Sequence, residues 1–339
     1  MLGVVVGGSS FRRGAEGQAL AFSLDIVNVD DASLRRIQLG FLGHGFAESP
    51  REPHRAAVFE KKGPGACFVD LREGTVLLAI GSSGPERAFY GHGSYSRDGE
   101  YLYIVETRLD TRAGLISVRD GQSFDVIGEV PTYGDSPHDC LLLDDGCTMA
   151  MTNGGGPLGS TEPASVTFVD LPSARLLEKL TFNEPRINAG HLALTSKRDL
   201  AIVSAPRDGL PTTATGAVSF RTGGAKVLTM KKPPAVVRRM VGETLSVCIH
   251  EPSSVVVATS PAGRMVTFWD LHTMRLLKTW EVDSPRGVTL SADGSCFVVS
   301  CGMTGGLRLV STDTLEVLPR DDYGTARLSG SHVYRWRAA

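Results

Sequence analysis

An apolar strand ending at an aspartate recurs along this chain at a regular spacing, and that repeat constrains the fold more than any other feature. Its copies are Cys67-Phe-Val-Asp70, Ile116-Ser-Val-Arg-Asp120, Thr167-Phe-Val-Asp170 and Thr267-Phe-Trp-Asp270, with aspartates 50, 50 and 100 residues apart. Ala217-Val-Ser-Phe-Arg221 fills the gap without its aspartate. A second strand follows each copy, and Arg175-Leu-Leu-Glu-Lys-Leu180 and Arg275-Leu-Leu-Lys-Thr-Trp280 are nearly the same sequence. Upstream, the segments 94–105, 141–151 and 288–299 each carry Asp-Gly between apolar runs, the strongest short-range hairpin signal because the turn needs positive φ. Each unit reads as four antiparallel strands in roughly 40–50 residues, the size of a propeller blade.

The spacing predicts blades over about 44–87, 88–132, 137–183, 190–233, 245–283 and 286–320. A seventh combines 326–336, read as one inner strand from Arg327 to Trp336, with three strands from 2–40. Joining both termini in one blade would remove the open edges of a circular array. The expectation is an all-β, seven-bladed β-propeller over residues 1–339, one domain where length alone would suggest two. The 39 glycines among 339 residues, well above the usual level of roughly 7%, suit a chain of short strands and tight turns.

In a propeller the innermost strand of each blade lines the channel. The position read as its start holds His44, His92, His138 and His191 in four consecutive blades, then Ser246 or Val247, then Arg286. Converging neutral imidazoles are ligands for iron, copper or zinc, which makes these four histidines the candidate metal set. Asp139, Glu106 and Asn153 are candidate supporting partners in the same blades. Glycines beside the histidines leave room for backbone approach to a bound group. A rim of histidine plus Arg286 could instead hold an anionic ligand. In a third reading the histidines only prop turns, as the Gly-His pair does in WD-repeat propellers. There, however, the pair stands about a dozen residues before Asp-Gly, whereas here His92 is six before Asp98 and His138 seven before Asp145. His54, His250, His272 and His332 fall off the pattern and read as incidental.

Other features mainly exclude. Thirty-five basic against 37 acidic side chains leave a formal charge of −2, without the basic field that nonspecific nucleic-acid binding needs. No apolar run approaches a membrane span. Six cysteines without a Cys-x-x-Cys pair read as small buried hydrophobes. Asn153-Gly-Gly-Gly156 has no following lysine and reads as a wide interblade loop; Lys231-Lys232-Pro-Pro with Arg238-Arg239 reads as a solvated linker. Met1 to Gly8 holds only a short apolar run, with Arg12 and Arg13 after it, which is not a secretory signal. The compartment is left open between cytoplasm and a processed periplasmic form.

The segments Leu42-Gly-His-Gly-Phe46, Phe89-Tyr-Gly-His-Gly-Ser-Tyr-Ser-Arg-Asp-Gly99, Ser136-Pro-His-Asp139, Thr152-Asn-Gly-Gly155 and His191-Leu-Ala193 occur in an order that resembles domain-of-unknown-function family 1513. The resemblance covers nearly the whole chain. It implies a bacterial propeller of a usually exported group, often encoded beside iron-uptake lipoproteins and dihaem peroxidase-like proteins. Asn188-Ala-Gly-His191 departs from the more typical Ile-Arg-His of that group. The functional expectation is a non-enzymatic protein whose channel mouth binds a transition metal, or a metal-bearing ligand, in iron or copper handling. The alternatives are a platform that seats a protein partner on a propeller face and a lactonase-like metal-dependent hydrolase.

Overall fold

The computed structural model describes residues 1–13, 19–302, 306–319, 323 and 328–337. Strands dominate it. β1 (Val4–Arg13), β2 (Ala19–Asn28) and β3 (Leu34–Leu39) form an antiparallel meander. β4 (Gly43–Glu48), β5 (Arg55–Gly63), β6 (Ala66–Asp70) and β7 (Thr75–Ile80) form the next, followed by β8 (Arg87–Tyr95), β9 (Tyr101–Arg108), β10 (Ala113–Asp120) and β11 (Val126–Asp135). A short pairing of β5 with β8 joins these two meanders into one eight-stranded sheet. Then come β12 (Pro137–Leu142), β13 (Thr148–Asn153), β14 (Ser165–Asp170) and β15 (Arg175–Thr181); and β16 (Leu192–Leu194), β17 (Leu200–Ser204), β18 (Ala217–Arg221) and β19 (Leu228–Thr229). A short helix (Pro234–Val237) leads to β20 (Val247–His250), β21 (Val255–Ser260), β22 (Met265–Asp270) and β23 (Leu276–Glu281). β24 (Val288–Leu290), β25 (Cys296–Ser300) and β26 (Leu307–Ser311) form a three-stranded sheet. The C-terminal β27 (Tyr334–Trp336) returns to pair with β1, setting Trp336 opposite Val4 and Tyr334 opposite Val6. The two termini thus share a sheet. The calls on Arg320, residue 326 and Arg327 lie outside the described residues.

The repeat has a local physical cause. Asp70, Asp120, Asp170 and Asp270 end the third strand of their meanders, and each carboxylate accepts backbone N–H groups from the turn that follows. Asp70 takes those of Arg72 and Glu73, Asp120 those of Gln122 and Ser123, Asp170 that of Ser173, and Asp270 that of Thr273. Gly99, Gly146 and Gly294 of the three Asp-Gly turns have φ of 69°, 73° and 73°.

Apolar side chains gather between successive meanders. Phe59 and Phe68 meet Phe89, Leu102 and Ile104; Val105 and Ile116 meet Met149 and Met151; Val166 and Phe168 meet Leu200 and Ile202. Val203 and Phe220 meet Val256 and Trp269; Val257 and Phe268 meet Phe297 and Val299. Val5 and Val27 meet Val298 and Leu309, and Val6 and Leu24 meet Val58 and Val69. A two-layer sandwich would not distribute its core this way, because every meander here has an apolar interface on both faces.

Two expectations are corrected. The segment after Asn153 runs between β13 and β14 of one meander, so it is not an interblade loop; the β13–β14 pairing reaches Asn153↔Ser165. All six cysteines are free, but only Cys67, Cys140, Cys296 and Cys301 are buried, Cys147 and Cys248 being partly exposed.

Candidate metal centre

The leading strands of the meanders each deliver one residue to a common point. His44 stands on β4, His92 on β8 and His138 on β12, while His191 immediately precedes β16. One ring nitrogen from each lies within 4.8 Å of the others. The structure therefore brings together the four histidines that the sequence placed in one position.

It also adds a fifth. His332, read as incidental, stands two residues before β27 with its Nε2 2.7 Å from His191 Nε2; His138 Nε2 lies 2.8 Å from the same atom. The His332 ring centroid is 4.0 Å from that of His191 and 4.7 Å from that of His44. The signal was available, since His332 lies within the segment already identified as the C-terminal inner strand. It was missed because no Asp-Gly turn follows Ser331-His332-Val333 to mark it as the start of a four-strand unit.

Backbone pairing fixes the remaining two equivalents. Val203 N–H donates to the His191 carbonyl, Thr259 N–H to that of Ser246, and Ser300 N–H to that of Gly287. Ser246 and Gly287 therefore occupy the histidine position in their strands, and Arg286 lies one residue upstream of it. This corrects its assignment to the ring. Gly287 is required by a close approach, because a Cβ there would lie 2.4 Å from Val333 N. The same holds for Gly91, whose φ is +108° and whose Cβ would lie 2.4 Å from His44 Cδ2. The space beside these glycines is filled by neighbouring backbone and imidazole, so they do not leave room for a ligand.

The five imidazoles are buried, each at most 8% exposed, so they do not form an open rim. Burial holds all five below the ordinary histidine range, with mutual repulsion adding for most of them, and His92 falls to about 3. They are neutral at physiological pH, the form that ligates metals. Two tautomers follow from their partners. His191 Nδ1 lies 2.6 Å from the Leu245 carbonyl, an acceptor only, so Nδ1 carries the proton and Nε2 presents a lone pair. His92 Nδ1 faces Asp139 Oδ1 at 3.2 Å, which aims its Nε2 inward in the same way. His92 Nε2 and His44 Nε2 are buried without a hydrogen-bond partner among the described residues. Orphaned buried acceptors are uncommon and costly, and a cation between the rings would satisfy them.

The three candidate supporting residues separate. Asp139 is in place: Oδ1 faces His92 and accepts Cys140 N–H, and Oδ2 accepts Leu192 N–H at 3.1 Å. Burial raises its carboxyl to about 7. Glu106 is not at the cluster. It sits on β9, one strand outward, where it pairs with Arg119 at 3.2 Å and accepts from Ser83 Oγ at 2.6 Å. Asn153 ends β13, also one strand outward, and donates to Thr132 O and Thr167 Oγ1. Both residues bind strands to each other. His54, His250 and His272 stay away from the cluster; His250 Nδ1 lies 2.7 Å from Ser253 Oγ, and His272 is exposed.

A cleft of about 1060 Å³ runs down the leading strands past Phe46, Tyr95, Leu141 and Tyr334 and reaches His92 and Asp139 at its inner end. The cluster is thus approached from the downstream ends of these strands.

Meanders packed in sequence around converging leading strands define a propeller-like all-β protein with a buried histidine cluster able to hold a metal ion. The chain belongs to the family described as Protein of unknown function (DUF1513), whose model matches residues 37–323. Four of the histidines fall inside that match, and His332 lies beyond it. Among solved structures, Kuenenia stuttgartiensis hydrazine synthase aligns with a TM-score of 0.69 at 16% identity, covering 88% of this chain and 94% of that one. Dihydro-heme d1 dehydrogenase NirN in complex with DHE aligns with a TM-score of 0.61 at 10% identity, covering 98% and 69%. At such identities the likeness is one of fold. No curated protein matches the sequence.

Proposed function

We propose that the chain is a seven-bladed propeller, closed by β27 on β1, that binds a transition metal ion in its channel as a non-enzymatic binding protein. Support for the closed ring comes from the seven apolar interfaces, each between consecutive meanders and including last to first. The ligands are His44, His92, His138 and His191, with His332 as a fifth imidazole, and Asp139 orients His92. One observation carries this reading: ring nitrogens converge from separate strands, and the Nε2 atoms of His44 and His92 are buried without a hydrogen-bond partner among the described residues. An all-nitrogen set of neutral imidazoles suits iron, copper or zinc over magnesium or calcium, which prefer oxygen. The ion would provide a bound charge for storage, transfer or redox work, and a role in iron or copper handling is the setting that fits.

The test is elemental analysis of untagged protein, with each of the five histidines changed to alanine. At least one ion per several chains, lost in most single variants, and a melting temperature that rises on adding metal are expected. No metal in the wild type and no thermal shift with iron, copper or zinc would refute the reading. A hydrolase is the second reading, favoured by the cleft that brings solvent to His92 and Asp139. A protein partner on a face is the third, favoured by Val76, Leu77 and Leu78, each more than 40% exposed on the outer strand β7.

A further inference from the structure

Two cations flank the cluster on the side opposite the cleft. Lys61 stands on β5 in register with Tyr90 of β8, two residues before His92, and the Tyr90 ring centroid is 5.7 Å from that of His138. Arg286 immediately precedes Gly287, and its Nε donates to the Gly330 carbonyl at 2.9 Å, two residues before His332. Each cation is therefore anchored beside a strand that carries a cluster histidine. Neither the Lys61 ammonium nor the two terminal nitrogens of Arg286 have a hydrogen-bond or ion-pair partner among the described residues.

Their surroundings do not balance them. Burial pushes the Lys61 ammonium down to about 8; Glu243 opposes the shift, and Lys62 and Arg286 add to it. Burial also lowers Arg286, again with Glu243 opposing. Lys61 acts electrostatically on His44, His92, His138 and His332, all of them neutral. One acid thus opposes two half-buried cations, and a metal in the cluster would add further positive charge with no carboxylate among its ligands. Desolvated charge without a counter-ion is costly, and an anion would offset it.

We propose that Lys61 and Arg286 form a collar that binds a small carboxylate or inorganic oxyanion against the upstream side of the histidine cluster. Arg286 offers its planar fork to two oxygens and Lys61 a point charge. The anion's contact with a metal rests on the metal reading above; its contacts with Lys61 and Arg286 do not.

The experiment is calorimetric titration of sodium formate into protein stripped with chelator and into the same protein reloaded with zinc, with zinc content measured separately. Formate should bind both forms, more tightly with zinc. Lys61→Met and Arg286→Met should each weaken it at least about tenfold, the loss expected for one charge-assisted hydrogen bond, and Lys61→Arg should retain most of it. Variant melting temperatures without formate should equal or exceed that of the wild type, because a partly desolvated charge has been removed. Formate heats that are absent from both forms, or the same in wild type and both methionine variants, would overturn the collar. Formate binding that needs Lys61, in protein that takes up none of zinc, iron or copper, would uphold the collar and overturn the metal reading.

Discussion

Lowering the pH from 7 to 5 is the perturbation to which this fold is most exposed. The five cluster histidines are neutral in the fold because burial, and for most of them mutual repulsion, depress their pKa values. Stability from a depressed histidine is fully present above the unfolded value near 6.5 and is lost as pH falls below it, since only the unfolded chain takes up the proton. For a histidine still neutral in the fold at pH 5 the loss over these two units is about 2 kcal/mol, and for five about 10 kcal/mol. Asp139 acts in the opposite sense. Its folded value is raised to about 7, so the folded chain binds that proton between pH 7 and 5 and recovers about 2 kcal/mol. The net loss, about 8 kcal/mol, is comparable to the whole stability of an ordinary domain, about 5–15 kcal/mol. Urea unfolding of metal-free protein at half-unit pH steps, followed by tryptophan fluorescence, measures it. His332→Gln should remove one proton from the slope, about 1.4 kcal/mol per pH unit. A loss below about 2 kcal/mol between pH 7 and 5, or equal slopes for the wild type and His332→Gln, would refute the buried neutral cluster.

Asp139→Asn should weaken metal binding by about 10- to 100-fold, the usual effect of removing a ligand's carboxylate partner, because its amide cannot accept from His92, Cys140 and Leu192 together; metal competition with a chromophoric chelator reads this. Glu106→Gln should leave metal content unchanged and lower stability by about 3–5 kcal/mol, since it strips a fully buried Arg119 of its counter-charge; chemical denaturation beside elemental analysis separates the two effects.

The strand order was legible because its signals are local. Asp-Gly turns and the capping aspartates at 70, 120, 170 and 270 act within a few residues of themselves, so the repeat survives in a single sequence. The four histidines were legible for a related reason: each lies on or just before a leading strand, and equivalent positions in a repeat converge wherever the repeat does. What failed was inference across strands. Glu106 and Asn153 lie near strand ends in sequence, but they sit on second strands, a full strand spacing away from the cluster. Only Asp139 follows a histidine directly, and that adjacency was the local feature that set it apart from Glu106 and Asn153. Arg286 was displaced by one residue because Gly287, the true equivalent, has no side chain to announce it. Lys61 was not seen at all, since its place depends on the long-range pairing of β5 with β8.

The two positions without histidine explain how five can meet. His332 comes from β27, at the far end of the chain, and must lie beside His191 with their Nε2 atoms 2.7 Å apart. The intervening strands β20 and β24 put Ser246 and Gly287 between them. Gly287 has no Cβ, and the backbone of His332 and Val333 occupies that space. Ser246 is short enough to sit beside the His332 ring, its Oγ 3.5 Å from Nδ1. Larger side chains at either position would hold His332 off the axis. The asymmetry that hid the fifth histidine in the sequence is therefore the feature that lets a fifth imidazole join the cluster of four.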